Sequence, residues 1–219
     1  GETGHQLYVS SRGMSRRIVA SFVVLATGAI ERPVPVAGWT TPGVMGVGAA
    51  QGLLKSSGAL PQGRTVLLGA GPLLWLYAAQ MTEAGCPPAH ILSTADALPP
   101  FLPGAFIDFL RSAYAAKGAK LLLKARRASK IGRARQPRIV AEGDHLAVHY
   151  RTSGGAERTV PADTVLVHQG VVPNMNLALA SDCEIVWDAT SACWQPATDR
   201  WGASSVRTIA IAGDAAGIR

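Results

Sequence analysis

Two closely spaced glycines, Gly69 and Gly71, separate a short apolar run from a longer one. The run over residues 64–68 has the length of a strand, and the run over residues 73–84 has the length of a helix. Glycines at a strand-to-helix turn let the backbone approach a ligand closely. The start of the helix adds unpaired N–H groups and the positive end of its dipole. The pattern therefore indicates a site for a phosphate or pyrophosphate group.

The residues after Gly71 fit such a site in part. Pro72 falls at the first helical position, where its missing N–H would have been unpaired anyway, and Leu73 follows it in the first turn. Leu74 stands where a third glycine or an alanine normally allows a helix to pack closely on its strand. The motif is therefore also compatible with a tight turn that binds no ligand.

An acidic side chain at the end of the next strand would bind the ribose hydroxyls of a dinucleotide. That strand is predicted over residues 89–94, and the first acidic residue after it is Asp96. No arginine stands beside Asp96 to neutralise a 2′-phosphate, so a dinucleotide site here favours NAD over NADP. Because Asp96 lies slightly late and Leu74 departs from the pattern, the domain could instead bind another adenine nucleotide, or none.

Three other predicted apolar strands also end in turns where the backbone could approach a ligand closely. They contain Thr27 with Gly28, Gly170 in the sequence GVVPN, and Gly213 with Asp214. Ligands of open α/β sheets bind outside the carboxyl ends of strands, and a carboxylate such as that of Asp214 could accept hydrogen bonds from sugar-like hydroxyls. Each of these turns also has an ordinary structural explanation, since glycine, proline and asparagine favour turns without any ligand.

The elements that must position these turns alternate between strand and helix, which predicts an α/β fold with a parallel sheet. Residues 18–25 are predicted as a strand buried on both faces, and residues 47–57 as a helix. The βαβαβ unit is predicted over residues 64–68, 73–84, 89–94, 106–117 and 120–123. An antiparallel meander is predicted over residues 129–131, 138–142, 146–151 and 158–160, followed by strands at 164–168 and 208–212.

The composition is that of a folded globular protein, with 48% of its 219 residues hydrophobic and 16% charged. Much of the net charge of +7 lies between residues 124 and 138, without interleaved aromatic residues. We therefore expect a solvated face or a surface for an acidic partner subunit, and no nucleic-acid site.

With no membrane span and no signal-peptide pattern, a cytoplasmic location is expected. The three cysteines form no CxxC pair, so neither a metal site nor a redox disulfide is expected.

Taken in order, these features resemble the glutathione-reductase-like flavoproteins, which have the pyridine nucleotide–disulfide oxidoreductase fold. ATGA, the GxG turn, the βαβαβ unit with its meander, GVVPN and AGD follow one another over essentially the whole sequence. One branch is especially similar: the FAD-bearing subunits of opine oxidases and hydrogen cyanide synthase, with the α subunits of sarcosine oxidase and proline dehydrogenase. The residues similar to that branch lie at 27–29, 31–33, 35, 38–40, 42–45, 49–51, 71–76, 168–174, 187–188 and 198–202.

The resemblance implies a Rossmann-like three-layer nucleotide-binding domain, with a parallel sheet plus an antiparallel meander, inserted in a partial FAD-binding domain. We expect residues 1–60 and 173–219 to form two strips of the FAD-binding domain. Residues 61–172 are expected to form the inserted NAD(P)-binding-like domain. In the family an FAD glycine motif precedes the point where this sequence starts, so we expect a partial FAD domain and no turnover by this chain alone.

Roles for individual residues also come from the resemblance. Thr27 and Gly28 should lie beside FAD, and Asp214 after Gly213 should contact its ribityl or pyrophosphate region. Gly69 and Gly71, with Pro72 and Leu73 behind them, should face NAD or another adenine nucleotide. Gly170 opens the turn that disulfide reductases continue with arginine, whereas this sequence has Val171. That difference, together with the absence of CxxC, argues against disulfide reduction.

The activity implied for the parent protein is oxidation of a secondary amine, opine or amino acid by hydride transfer to FAD, with electrons leaving through a partner subunit or an iron–sulfur segment outside this chain. An alternative is an NADH-dependent flavin reductase, and another is a module used only for nucleotide binding or for the assembly of subunits. The sequence identifies no catalytic base, amine, electron acceptor or oligomeric state. None of the five histidines has a serine or cysteine partner by spacing.

Overall fold

A computed structural model describes residues 4–95 and 127–218. The chain forms two compact units, one of Gly1–Ile30 with Val171–Arg219 and one of Glu31–Gly170. The second unit begins at Glu31, whereas the inserted domain was predicted to begin at residue 61. The difference arises because the helix over Val47–Ser57 packs on the same sheet as Thr65–Ala70. No helix in the described ranges has both the length and the apolar character needed to cross a membrane.

The strands are β1 His5–Ser11, β2 Met14–Ala20, β3 Val23–Leu25, β4 Ala29–Glu31, β5 Val44–Gly46, β6 Thr65–Ala70, β7 His90–Ser93, β8 Lys130–Arg133, β9 Arg135–Glu142, β10 His145–Arg151, β11 Glu157–Ala162, β12 Thr164–Gln169, β13 Val171–Pro173, β14 Ile185–Asp188, β15 Cys193–Pro196 and β16 Ile209–Ile211. The helices are α1 Val47–Ser57, α2 Pro72–Glu83 and α3 Asn176–Ala180, and a 3₁₀ turn spans Gly213–Ala216.

A parallel sheet forms the centre of the Glu31–Gly170 unit, and its described strands run in the order β5-β12-β6-β7-β8. Both faces of the sheet are covered, as the nearly continuous apolar strands require. Along β6, Leu67 belongs to the core shared with α1 and α2, while Leu68 belongs to the core shared with the meander. The same alternation places Leu166 and Val165 of β12 in the two cores. The unit therefore has three layers.

The helices on one face end and begin where the sequence indicates. Gly58 caps α1 in the left-handed conformation, with φ 70°, and its N–H bonds to the Leu54 carbonyl at 3.0 Å. Pro72 starts α2. The core between these helices and the sheet is made of fully or almost fully buried side chains: Val47, Ala50, Leu67, Leu74, Tyr77, Ala78, Met81, Ile91 and Leu166.

An antiparallel meander in the order β11-β10-β9 covers the other face. Its middle strand supplies Leu146 and Val148 to the core, opposite Ala162 and Val160 of β11. The predicted meander also included residues 129–131, and that part of the prediction is wrong. The structure places Lys130–Arg133 in the parallel sheet beside β7, where Lys130 pairs with His90. The short stretch lacks the alternating pattern of a meander strand, and its neighbours in space decide its direction.

The other unit consists of small paired strands. β1 and β2 form a hairpin whose turn residues, Arg12 and Gly13, both have positive φ, at 51° and 76°. β3 runs parallel to β16. The core of this unit contains the buried side chains of Leu25, Ile209 and Ile211. β4 pairs with β13, and β14 pairs with β15.

The prediction of one buried strand over residues 18–25 is wrong. The run divides between β2 and β3, and the bend between them falls at Ser21 and Phe22. Phe22 is 52% exposed and Val24 is 59% exposed, so the run is not covered on both faces. An apolar run reports hydrophobicity alone and cannot show which neighbours cover it. The predicted helix at 106–117 and strand at 120–123 lie outside the described residues.

Replacing Tyr77 with phenylalanine is expected to stabilise the fold by up to about 1 kcal/mol. Tyr77 is fully buried on α2, and its hydroxyl has no hydrogen-bond partner among residues 4–95 and 127–218. Burial also raises the pKa of this hydroxyl. Urea unfolding compares the variant with Tyr8→Phe, a control at a residue that is 78% exposed. A Tyr77→Phe protein that is less stable than the native one would contradict the expectation.

Candidate functional site

The glycine turn between β6 and α2 has the conformation that a phosphate-binding turn needs. Gly71 is the N-cap of α2, with φ 106° and ψ 165°, a combination open essentially to glycine alone. Gly69 has φ 144°. In the described residues around the turn, no side chain caps the helix and no acidic residue lies in its first turn. The first amides of α2 are therefore free of side-chain acceptors, and the turn can bind an anion.

Leu74, which stands where the usual glycine pattern has a small residue, is accommodated inside the core. Leu74 is fully buried with Leu67 and Tyr77 between α2 and the sheet, so its side chain does not fill the turn. Pro72 is exposed at the first position of the helix, and Leu73 packs partly against the same core.

A crevice of about 740 Å³ lies along the carboxyl edge of the sheet. Its lining includes Thr94 after β7, Ala134 after β8 and Gln169 at the end of β12. The Gln169 amide Nε2 donates to Thr94 Oγ1 at 3.0 Å. Crevices outside the carboxyl ends of parallel strands are where open α/β sheets bind ligands. Asp96, predicted to bind ribose at this edge, lies outside the described residues.

Gly170 also lies at the carboxyl edge of the parallel sheet. It follows β12, has φ 89°, and its Cα lies 3.9 Å from the point where a Cβ on Gly71 would stand. Its carbonyl accepts a hydrogen bond from the Arg32 N–H at 2.9 Å. The structure therefore brings Gly69, Gly71 and Gly170 together around one turn.

A second cluster of predicted site residues forms in the other unit. Thr27 Oγ1 donates to the Asn174 carbonyl at 2.8 Å, and the Asn174 N–H donates to the Gly28 carbonyl at 3.0 Å. The GVVPN segment thus holds the turn after β3. Because β3 and β16 are parallel neighbours, the turn containing Gly213 and Asp214 leaves the sheet at the same edge.

The Asp214 carboxylate is available to accept hydrogen bonds from a ligand. The residue is exposed, and within the part of the chain that the structure describes its side chain makes no hydrogen bond. A cavity of about 390 Å³ beside it is lined by the loop from Thr198 to Gly202 and by Gly213. This edge can therefore offer bare backbone and one acceptor side chain to a hydroxylated ligand.

The sequence did not single out the most closely bonded pair of side chains at the carboxyl edge. Glu31 Oε1 lies 2.6 Å from His168 Nδ1, and the His168 side chain is 1% exposed. The two residues are 137 positions apart, so no local spacing relates them. The available signal was chemical: an acidic residue and a histidine each sit at the end of an apolar stretch, and buried charged groups need partners.

The sequence pattern of the pyridine nucleotide-disulphide oxidoreductase family matches residues 2–219, and the chain belongs to this family. Membership implies FAD and NAD(P) as the cofactors of the family. An opine oxidase subunit of Agrobacterium tumefaciens is 44% identical over 223 residues, which cover 100% of this chain and 44% of that protein. Hydrogen cyanide synthase subunit HcnB of Pseudomonas aeruginosa is 51% identical over 65 residues, 30% of this chain and 14% of that protein.

Solved structures agree on the fold. The flavoprotein disulfide reductase RclA of Escherichia coli superimposes with a TM-score of 0.65 at 21% identity, over 98% of this chain and 44% of that one. Thioredoxin reductase of T. acidophilum gives 0.64 at 18% identity, over 97% and 65%. These structures confirm the expected fold class, and the match over residues 2–219 confirms the expected family. The chain spans less than half the length of the opine oxidase subunits that it matches.

Proposed function

We propose that this chain is part of an FAD-dependent oxidoreductase and that its Glu31–Gly170 unit binds NAD. The observation that carries the proposal is the uncapped glycine turn at the carboxyl edge of the parallel sheet, directly before α2. A pyrophosphate placed there would meet free amides and the positive end of the helix dipole. The residues that would hold the nucleotide are Gly69, Gly71, Pro72 and Leu73, with Gly170 across the turn.

The other unit would hold part of FAD. Thr27 and Gly28 provide bare backbone after β3, and the exposed carboxylate of Asp214 provides an acceptor for ribityl or ribose hydroxyls. These residues fit a hydroxylated cofactor because they lie at one edge of the β3–β16 pair. Bound FAD would supply the hydride acceptor of the reaction. The chain's own contribution is to bind and orient the cofactor.

For the parent protein we propose oxidation of a secondary amine, opine or amino acid. The support is the 44% identity to an opine oxidase subunit over the whole chain, with hydrogen cyanide synthase and sarcosine oxidase subunits among its relatives. All of these relatives are subunits, which supports a route for electrons through a partner subunit. The second candidate is an NADH-dependent flavin reductase, favoured by the free glycine turn on the nucleotide side.

The two candidates differ in what reduces the flavin. In the complete protein with FAD bound, anaerobic bleaching of the flavin absorbance by an opine and not by NADH supports amine oxidation. Bleaching by NADH and not by an opine supports the reductase. A cytoplasmic location for either enzyme stays a prediction.

A thermal-shift screen of the chain with NAD, NADH, NADPH, ADP, ATP and FAD tests the nucleotide proposal. A ligand that binds only the folded state at a concentration of 100 Kd stabilises it by about 2.7 kcal/mol. We expect NADH to raise the melting temperature more than NADPH does. If no nucleotide changes the midpoint, the turn is a structural feature and the proposal is wrong.

A further inference from the structure

Glu31 and His168 form a partly buried hydrogen-bonded pair inside the Glu31–Gly170 unit. The Glu31 side chain is 22% exposed and its Oε1 lies 2.6 Å from His168 Nδ1. Its other oxygen, Oε2, accepts a hydrogen bond from the Gly48 N–H at 2.9 Å. An ionised carboxylate can only accept, so Nδ1 must be the donor in the pair. Both carboxylate oxygens are therefore occupied, and the imidazole is held in a single orientation.

The carboxylate is fixed by the start of α1. Gly46 is the N-cap of that helix, and Gly48 lies in its first turn, so the Glu31 charge meets the positive end of the helix dipole. The backbone there leaves room for the carboxylate. A Cβ on Gly46 would lie 2.2 Å from Glu31 Oε2, and one on Gly48 would lie 3.0 Å from it. The position of Glu31 thus depends on the absence of side chains at these two sites.

The imidazole is fixed against the glycine turn. His168 pairs in register with Gly69 on β6, and its Nε2 lies 3.4 Å from the point where a Cβ on Gly71 would stand. Among residues 4–95 and 127–218, Nε2 makes no hydrogen bond. The ring therefore lies against the glycine turn that precedes α2.

We propose that Glu31 and His168 are positioning residues for nucleotide binding: the pair holds the Gly69–Gly71 turn in its binding conformation from the start of α1. The inference rests on the proposed function of the turn. It extends that function, because it assigns a role to two residues that act through the turn. A turn that is already in its bound conformation loses less conformational freedom on binding, and removal of its support should weaken binding.

The test combines three variants with one control. Glu31→Ala removes the carboxylate. Glu31→Gln keeps one acceptor oxygen, so it can accept from His168 Nδ1 or from the Gly48 N–H, and its –NH2 group faces the other partner. Gly46→Ala leaves Glu31 chemically intact and displaces its carboxylate by contact. Gly52→Ala is the matched control, since it adds a methyl group to the same helix where nothing lies within 4 Å.

Two measurements are made on each protein: the Kd for NADH by isothermal titration, and the melting temperature. We expect Glu31→Ala to raise Kd at least about tenfold. Gly46→Ala should raise it by a smaller factor, Glu31→Gln should recover part of the loss, and Gly52→Ala should match the native protein. The ¹⁵N shifts of the His168 ring should report a proton held on Nδ1 in the native protein and a mixture of tautomers in Glu31→Ala.

The outcomes separate this inference from the proposal on which it rests. If the native chain binds NADH, and folded Glu31→Ala binds it with an unchanged Kd, the positioning role is wrong while the nucleotide site stands. The same conclusion follows if the variants lower the melting temperature and leave Kd unchanged, because the pair is then structural. If the native chain binds no nucleotide, the proposed function itself fails, and the positioning role fails with it.

Discussion

Replacing Gly69 with alanine is expected to destabilise the Glu31–Gly170 unit by at least about 3 kcal/mol, or to prevent its folding. The φ of 144° is costly for any residue with a Cβ. In addition, the new Cβ would lie 1.7 Å from the His168 carbonyl oxygen. That oxygen belongs to the backbone of β12, which lies between β5 and β6 in the sheet and cannot shift without breaking its pairing. Urea unfolding of the purified variant measures the loss.

The control for this prediction is again Gly52→Ala. It makes the same chemical change in an exposed part of α1, where alanine is the better helix former and should stabilise by up to about 1 kcal/mol. A Gly69→Ala protein with an unfolding free energy within about 1 kcal/mol of the native value would show that β6 and β12 do not approach this closely.

Replacing Pro72 with glutamate is expected to weaken the binding of NADH and to leave the stability of the fold almost unchanged. A carboxylate at the first position of α2 interacts favourably with the helix dipole, which offsets the lost rigidity of proline, so the unfolding free energy should change by less than about 1 kcal/mol. The same charge would repel a pyrophosphate at the turn. We expect the Kd for NADH to rise at least about tenfold. Isothermal titration and urea unfolding measure the two effects on one preparation.

Pro72→Gln serves as the neutral control, because it has nearly the same shape as glutamate and no charge. It should bind NADH close to native affinity. The penalty of Pro72→Glu should also shrink in high salt, which screens exposed charges. Equal affinities for the glutamate and glutamine variants in low salt would place the phosphates away from this helix.

The glycine turn could be predicted from sequence because all its determinants are local. A strand, two glycines, a proline at the first helical position and an apolar helix follow one another without interruption, and the structure reproduces that order over β6 and α2. Leu74 introduced doubt because the pattern usually has a small residue there. Its packing into the core resolves this point in physical terms: the side chain faces Leu67 and not the turn.

The support of the turn could not be predicted, since its parts come from distant places in the chain. Glu31, Gly46 and His168 meet because β5 and β12 are neighbours in the sheet, and strand order is a tertiary property. The same limit explains β8, where a short polar-apolar stretch joined the parallel sheet against the expected meander. Local patterns specify the type of an element more reliably than its neighbours.

The unpredicted exposure of Phe22 and Val24, within the run over residues 18–25, has the same origin. Val24 and Phe22 are apolar and β-forming, which makes the strand prediction reasonable, but coverage of a strand depends on what packs on each face. The close hydrogen bonding of Thr27 with Asn174 was likewise invisible in the separate ATGA and GVVPN segments. Their order along the chain indicated the family, and the structure supplies the contacts.

The most direct measurement is a titration of ¹⁵N-labelled chain with NADH, followed by the backbone amide resonances. If the glycine turn binds the pyrophosphate, the largest shifts should fall on Gly71, Leu73 and Leu74, with a smaller group around Gly170. Resonances in the polar pocket beside Arg138 and Arg158 on the meander should stay in place. Shifts confined to that polar pocket, or no shifts at saturating NADH, would contradict a nucleotide site at the start of α2.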